Sequence, residues 1–218
     1  MKLRTKRKKK ARTALVICNG EVLSKKEIAP LLKENPFIVC ADGGADKARA
    51  RGIRPDVIIG DLDSISPGTR SYFSDVRTIH VKSQHSTDLE KALTFLLKHG
   101  YRSAVVAGTM GGRPDHAYTN FSILKKYQRR MDLLFVDPLC DIRIVGRSIA
   151  FDASVGTIVS LMPLGRCDGI STTGLKYPIR NGSLELGVHE GASNKVVSSP
   201  VTVSVKKGSL LLFIVKSR

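Results

Sequence analysis

Residues 41–64, ADGGADKARARGIRPDVIIGDLDS, decide how the rest of the chain is read. Two short apolar, β-branched runs frame this stretch, FIVC at 37–40 and VII at 57–59. That composition fits strands buried on both faces of a parallel sheet, with a short basic helix between them. Each run ends in glycine beside aspartate: Asp42, Gly43 and Gly44 after the first, Gly60, Asp61 and Asp63 after the second. In open α/β sheets, ligands sit in the crevice beyond the carboxyl ends of the strands. Three carboxylates delivered to that edge repel one another unless a cation or a shared proton relieves them. Turn shaping accounts for one aspartate, not for three at neighbouring strand ends. A hard divalent ion such as Mg²⁺, shared with phosphate oxygens, is the expected resident. In an extended segment residues i and i+2 point the same way, so Asp61 and Asp63 are expected to face one ion.

Outward from this stretch, strands and helices alternate from Ala14 to Pro138. ALVIC (14–18) reads as the first strand and closes on Asn19-Gly20; a helix over 25–33 follows Ser24. Ser66-Pro67 has the pattern of an N-cap followed by proline at the first helical position. A strand is expected at 78–81, and the clearest helix at 87–97, where Leu89, Ala92, Leu93, Leu96 and Leu97 form one apolar stripe. Thr87 with Glu90 predicts a capping box, and Asp88 sits where the helix dipole favours an acid. A strand at 104–107, a helix over 116–130 and a strand at 133–136 complete the series. After Asp141 the texture changes to short β-type runs (IRIV, TIVSLM, VTVSV, LLLFIV) broken by Gly, Ser, Asn and Pro. The predicted class is therefore α/β: a Rossmann-like, mostly parallel three-layer α/β/α domain over 13–140, then a small C-terminal β-sandwich over 141–218.

Composition narrows the function. The 218 residues have room for a substantial core, and no apolar run reaches membrane-spanning length. Neither a signal-type segment nor CxxC spacing is present, so Cys18, Cys40, Cys140 and Cys167 read as reduced thiols of a cytoplasmic protein. The net charge of +17 points towards nucleic acid, yet residues 1–12 alone hold eight of the 36 basic residues and no acid. The other 28 basic residues face 19 acidic ones, a balance of +9 that suits an enzyme holding a polyphosphate. Residues 1–12 read as a disordered basic tail.

Further chemistry is carried by two helix starts. Thr87-Asp88 opens an N-terminus suited to anions, with Lys91 one turn in, within reach of a phosphate or solvent. Gly111-Gly112-Arg113-Pro114-Asp115-His116 combines a pliant backbone, a guanidinium fork, a carboxylate that caps a helix or meets a ligand, and a histidine able to move protons. No dinucleotide fingerprint, P-loop, nucleophile elbow or HExxH motif occurs.

In order, ADGGA (41–45), GDLDS (60–64), STDLEKAL (86–93), GGRPDH (111–116) with Asn120, GLKYPI (174–179) and GASN (191–194) resemble the thiamin pyrophosphokinase family over residues 14–215. The resemblance implies a homodimer that transfers the pyrophosphoryl group of ATP to thiamin, giving thiamin diphosphate and AMP. It implies that Asp42, Asp61, Asp63 and Asp88 hold Mg²⁺ and the triphosphate, with Asp61, Asp63 and Asp88 catalytic; it does not single out the group that takes the alcohol proton, for which Asp88 is our candidate. Asn19, Asp42, Gly43, Gly44, Thr87, Lys91, Arg113, Asp115, His116 and Asn120 would then lie along the nucleotide, and Ser193 and Asn194 beside the thiamin ring at the dimer interface. Three positions depart from the family pattern. His85 stands where an acid is usual, Asp46 where asparagine is common, and no tryptophan is available to stack on the ring. Two other readings compete: the same transfer to another acceptor such as a hydroxymethylpterin, and a basic RNA-binding module.

Overall fold

A computed structural model of the chain describes residues 13–83 and 85–216; the basic segment 1–12, expected to be a disordered tail, lies outside the described residues. The α/β part runs β1 (Thr13–Ile17), α1 (Lys25–Lys33), β2 (Phe37–Ala41), α2 (Gly44–Arg51), β3 (Val57–Gly60), α3 (Pro67–Tyr72), β4 (Arg77–His80), α4 (Asp88–Lys98), β5 (Ser103–Ala107), α5 (Pro114–Tyr127) and β6 (Asp132–Val136). Eight strands follow: β7 (Cys140–Val145), β8 (Ser148–Phe151), β9 (Ile158–Pro163), β10 (Arg166–Thr173), β11 (Gly182–Glu185), β12 (Gly191–Lys195), β13 (Val201–Ser204) and β14 (Leu210–Val215).

Local chemistry sets most helix starts. Ser24 and Glu27 form a full reciprocal capping box, and the Ser66 side chain accepts from Thr69 N ahead of Pro67. At α4 only half of the predicted box forms: Thr87 Oγ1 accepts from Glu90 N, while the Glu90 carboxylate turns to Lys126 Nζ on α5. The helix expected over 116–130 starts at Pro114 and stops at Tyr127, and its N-cap, Arg113, makes no side-chain cap bond. Asp115 therefore does not cap it.

Ten strands form one sheet in the order β12-β9-β14-β7-β6-β5-β1-β2-β3-β4, parallel from β6 to β4 and antiparallel beyond. Alternation along β1 sends Ala14 and Val16 to one face, under α4 and α5, and Leu15 and Ile17 to the other, under α1 and α2. Gly44 lets α2 sit against β1, since a Cβ there would lie 2.0 Å from the Ile17 carbonyl oxygen. The change of texture near residue 140 marks the switch to antiparallel pairing, not an interruption: β7 pairs with β6 within the same sheet. A second sheet, β11-β10-β13-β8, closes over the antiparallel strands around Val145, Val159, Leu161, Ile170 and Val203, making the sandwich. No described helix is long and apolar enough to cross a membrane.

Candidate active site

The chain steps outward from β1 to β4 and then crosses back to β5 on the other side of β1, so the switch of direction lies between β1 and β5. The crossover helix, α4, packs over β1, β2 and β3. This brings its first residue, Asp88, to the loops after β2 and β3. Carboxylate oxygens of Asp42, Asp61 and Asp88 lie within 4.8 Å of one another. Gly60 makes room for them, because a Cβ there would stand 2.7 Å from Asp42 Cβ and 3.1 Å from Asp88 Oδ1.

Asp42 holds an uncommon backbone conformation, φ +44°, and is 3% exposed. Its Oδ2 accepts from Ser64 N at 3.2 Å, whereas its buried Oδ1 has no hydrogen-bond partner among the described residues. Burial first, then the Asp88 charge, raises the Asp42 carboxyl above its ordinary value despite the lowering contribution of Ser64. Lys91 is buried beneath the cluster, 2% exposed in its side chain, with Nζ 2.8 Å from Asp88 Oδ1 and 3.4 Å from Asp61 Oδ2. Burial alone would lower this ammonium, but the two carboxylates outweigh it and hold it above its ordinary value. Lys91 is therefore neither solvated nor exposed for a phosphate; it neutralises the carboxylates from below.

The residues present fit a hard divalent cation. Mg²⁺ takes oxygen ligands at about 2.1 Å, which sets opposite ligands about 4.2 Å apart, close to the spread of the three oxygens. The bare Oδ1 of Asp42 is the donor left over for it.

The expected pairing of Asp61 with Asp63 is corrected by the backbone. Leu62 has φ +68°, so the segment is a turn and the same-side argument for an extended strand does not apply. Asp63 is exposed and outside the three-carboxylate group; its Oδ1 accepts from Ser64 Oγ at 2.9 Å. Arg70 Nη2 donates to the Leu62 carbonyl, and Asp46 takes both the amide (3.0 Å) and the hydroxyl of Ser66. These two clamps hold the turn. Neither was visible in the sequence, where Asp46 stood out only as a departure from the family pattern.

Asn19, at the end of β1, packs on Gly43, the N-cap of α2. Thr87 caps α4. Arg113 and Asp115 pair with each other at 2.6 Å, both exposed, and His116 beside them is exposed as well. Asn120 Nδ2 donates to the Thr109 carbonyl at 2.8 Å, pinning α5 to the loop after β5. His85 is exposed ahead of α4, its amide donating to Ser83 Oγ.

The motif order is matched by whole-domain similarity. Residues 28–135 match the model of the thiamin pyrophosphokinase catalytic domain, and residues 148–210 that of the thiamin pyrophosphokinase vitamin B1 binding domain. Together they account for most of the chain. It belongs to the thiamin pyrophosphokinase family. Thiamine pyrophosphokinase 3 of Oryza sativa subsp. japonica is 30% identical over 240 residues, covering 94% of this chain and 87% of its own. Thiamine pyrophosphokinase 2 of the same plant is 32% identical over 196 residues, covering 76% and 73%. Among solved structures, thiamin pyrophosphokinase from Candida albicans superposes with a TM-score of 0.84 at 21% identity, covering 95% of this chain and 90% of that one.

Within the region matched by the vitamin B1 binding model, Ser193 has φ +56° and is exposed, while Asn194 is buried. Asn194 accepts from Tyr177 N at 3.1 Å and donates to the Tyr177 carbonyl at 2.7 Å, so its amide fixes the GLKYPI segment instead of facing solvent. Tyr177 is 65% exposed, with Lys176 Nζ 5.3 Å from its ring centre. β12 lies at one end of the ten-stranded sheet and β2 near the other, seven strand positions apart. At about 4.8 Å per strand that is roughly 30 Å, so one chain does not unite Ser193 and Asn194 with the carboxylates.

Proposed function

We propose that this member of the thiamin pyrophosphokinase family transfers the pyrophosphoryl group of ATP to the hydroxyl of thiamin, forming thiamin diphosphate and AMP, at the Asp42–Asp61–Asp88 edge. The observation that carries this reading is the meeting of three carboxylates, one with a bare buried oxygen, over the buried ammonium of Lys91. Asp42, Asp61 and Asp88 would hold Mg²⁺, which when bound neutralises phosphate charge. Lys91 keeps the carboxylates together before the ion arrives, and the Asp46 and Arg70 clamps fix the turn that presents Asp61. Asp88 is the most exposed of the three and is the acceptor we assign to the hydroxyl proton of thiamin. Arg113, beside the switch between β1 and β5, faces the triphosphate once it exchanges its exposed partner Asp115, a pair of low net worth in water.

Thiamin would meet this edge through a homodimer. The roughly 30 Å within one chain favours a ring site built by Ser193 and Tyr177 of a second copy, with Asn194 setting the Tyr177 backbone. The exposed Tyr177 ring offers the aromatic face that a chain without tryptophan otherwise lacks. A cytoplasmic location agrees with four cysteines that are all free thiols.

The deciding experiment mixes the protein with Mg²⁺ and ATP, with thiamin or a hydroxymethylpterin as acceptor, and resolves the nucleotides. AMP formed only with thiamin is the expected result. ADP as the product, or AMP formed with the pterin alone, overturns the reading.

A further inference from the structure

We propose that a second, separate groove binds a small organic phosphate: the one between the C-terminal end of α5, the start of β6 and the β7–β8 hairpin. Its cavity is about 410 Å³, within the size range of small-molecule sites. Arg102, Arg129, Arg130 and Arg143 line it, with Asp132 as its one carboxylate. Four guanidinium groups against one acid leave an excess of three positive charges facing one cavity. The dipole at the end of α5 accounts for cations at 129 and 130, but Arg102 comes from the approach to β5 and Arg143 from β7.

Arg102 Nη1 donates to the Leu97 and Tyr101 carbonyls at 3.1 and 3.0 Å, but the other three arginines are incompletely matched inside the protein. Arg143 Nη2 donates to Asp132 Oδ1 at 2.7 Å, yet its Nε is buried and has no acceptor among the described residues. A buried donor without an acceptor is costly, and an anion oxygen in the groove would satisfy it. Arg129 makes no hydrogen bond or ion pair among the described residues, and Arg130 lies over the Tyr127 ring. Guanidinium forks match phosphate oxygens in pairs. Leu124, Met131, Leu133, Ile144 and Ile149 supply apolar lining to the same groove. Cationic and apolar lining in one cavity suits a phosphate ester carrying a flat organic body, more than a bare inorganic anion.

The groove is not part of the carboxylate edge. Arg102 and Asp132 stand at the beginnings of β5 and β6, whereas Asp42 and Asp61 follow the ends of β2 and β3. A strand of five residues puts about 16 Å between the two edges of the sheet. Occupancy of the groove is thus expected to be separate from the transfer chemistry, and binding there is measured without thiamin.

The probe is ADP in the presence of a chelator, titrated calorimetrically into the full-length protein beside inorganic pyrophosphate. ADP is expected to bind at least tenfold tighter than pyrophosphate. Arg129→Gln, which breaks no internal bond, should weaken ADP at least threefold, and Arg129→Gln/Arg143→Gln at least tenfold. Both variants should keep the wild-type melting temperature within 2–3 °C and form AMP at saturating substrates within twofold of wild type. Photolabelling with an azido-ADP should mark peptides from residues 124–149. ADP binding unaffected by the double variant, labelling confined to the carboxylate edge, or pyrophosphate binding as tightly as ADP would each overturn the proposal. So would arginine-dependent binding of a short RNA without any binding of ADP.

Discussion

Asp42→Asn separates the electrostatics of the carboxylate cluster from its packing. Asparagine is nearly isosteric and among the residues that best tolerate positive φ, so φ +44° is retained. Its carbonyl can still accept from Ser64 N, and its amide replaces the bare Oδ1 with a donor in the neighbourhood of the other two carboxylates. At the outer limit of 4.8 Å and an effective dielectric of 20, 332/(20 × 4.8) gives a repulsion of at least about 3.5 kcal/mol for each carboxylate pair. Lys91, 2.8 and 3.4 Å from Asp88 and Asp61, offsets most of that for the cluster as a whole. Removing one charge should leave a net gain of about 1–2 kcal/mol in the metal-free protein, or roughly 2–8 °C in melting temperature for a chain of this size.

Magnesium should reverse the order. Saturation at a hundred times the dissociation constant adds about 2.7 kcal/mol to the wild type, and far less to a variant lacking one ligand. The assay is thermal melting of both proteins in chelator and in excess Mg²⁺, repeated across pH. The folded-state pKa of Asp42 is raised, so its ionisation costs stability as pH rises through that value. The advantage of the variant in chelator should therefore be largest near neutrality and close towards pH 4. A variant less stable than wild type in chelator, or one with an undiminished response to Mg²⁺, would refute this account of the cluster.

Lys91→Met removes the buried ammonium and should cost about 2–4 kcal/mol in urea unfolding without metal, part of it restored by Mg²⁺; a loss below 1 kcal/mol would remove Lys91 from the role of counter-ion. Gly60→Ala puts a methyl 2.7 Å from Asp42 Cβ, and should lower AMP formation more than tenfold with the far-UV spectrum unchanged; near-normal turnover would show that the loops after β2 and β3 yield easily. Burial pushes the Cys18 thiol up to about 12, so it should resist thiol reagents at pH 8 in the native protein and react at once in urea. Cys140, raised by burial to about 11, contributes stability that is complete below its unfolded value of 9.0 and lost as pH climbs through 11; Cys140→Ala should flatten the alkaline fall in melting temperature.

What could be read from the sequence was local. Ser24, Ser66 and Thr87 announce helix starts because a cap bonds an amide three residues away, and the structure has helices at all three. The strands β1 to β6 were legible because runs such as VVA and LLFV are buried on both faces. What was not legible depended on contacts far along the chain. Glu90 leaves its predicted cap for Lys126, 36 residues on. Asn194, which the resemblance sets beside the ring, also fixes the backbone of Tyr177, 17 residues back. The continuity of the ten-stranded sheet through β7 was hidden because the change from parallel to antiparallel pairing alters composition just as a separate domain would.

Asp88 shows how the local and distant orders meet. By itself, an aspartate at the first position of a capped helix is fully explained by the dipole, and the sequence offers no further reason for it. Topology supplies one. The only chain passage from β4, at one end of the sheet, to β5, beyond β1, is α4, which must cross the strands between. The start of such a helix falls at the carboxyl edge, where the preceding strand ends, and the Thr87 cap fixes its first turn there. Asp88 then has no choice of neighbours but Asp42 and Asp61, and Lys91, three residues on, lies beneath it on the same helix face. A residue placed by helix-start chemistry thus becomes the third carboxylate of the cation site we propose, and the same turn of helix supplies Lys91, the positive charge that offsets their repulsion.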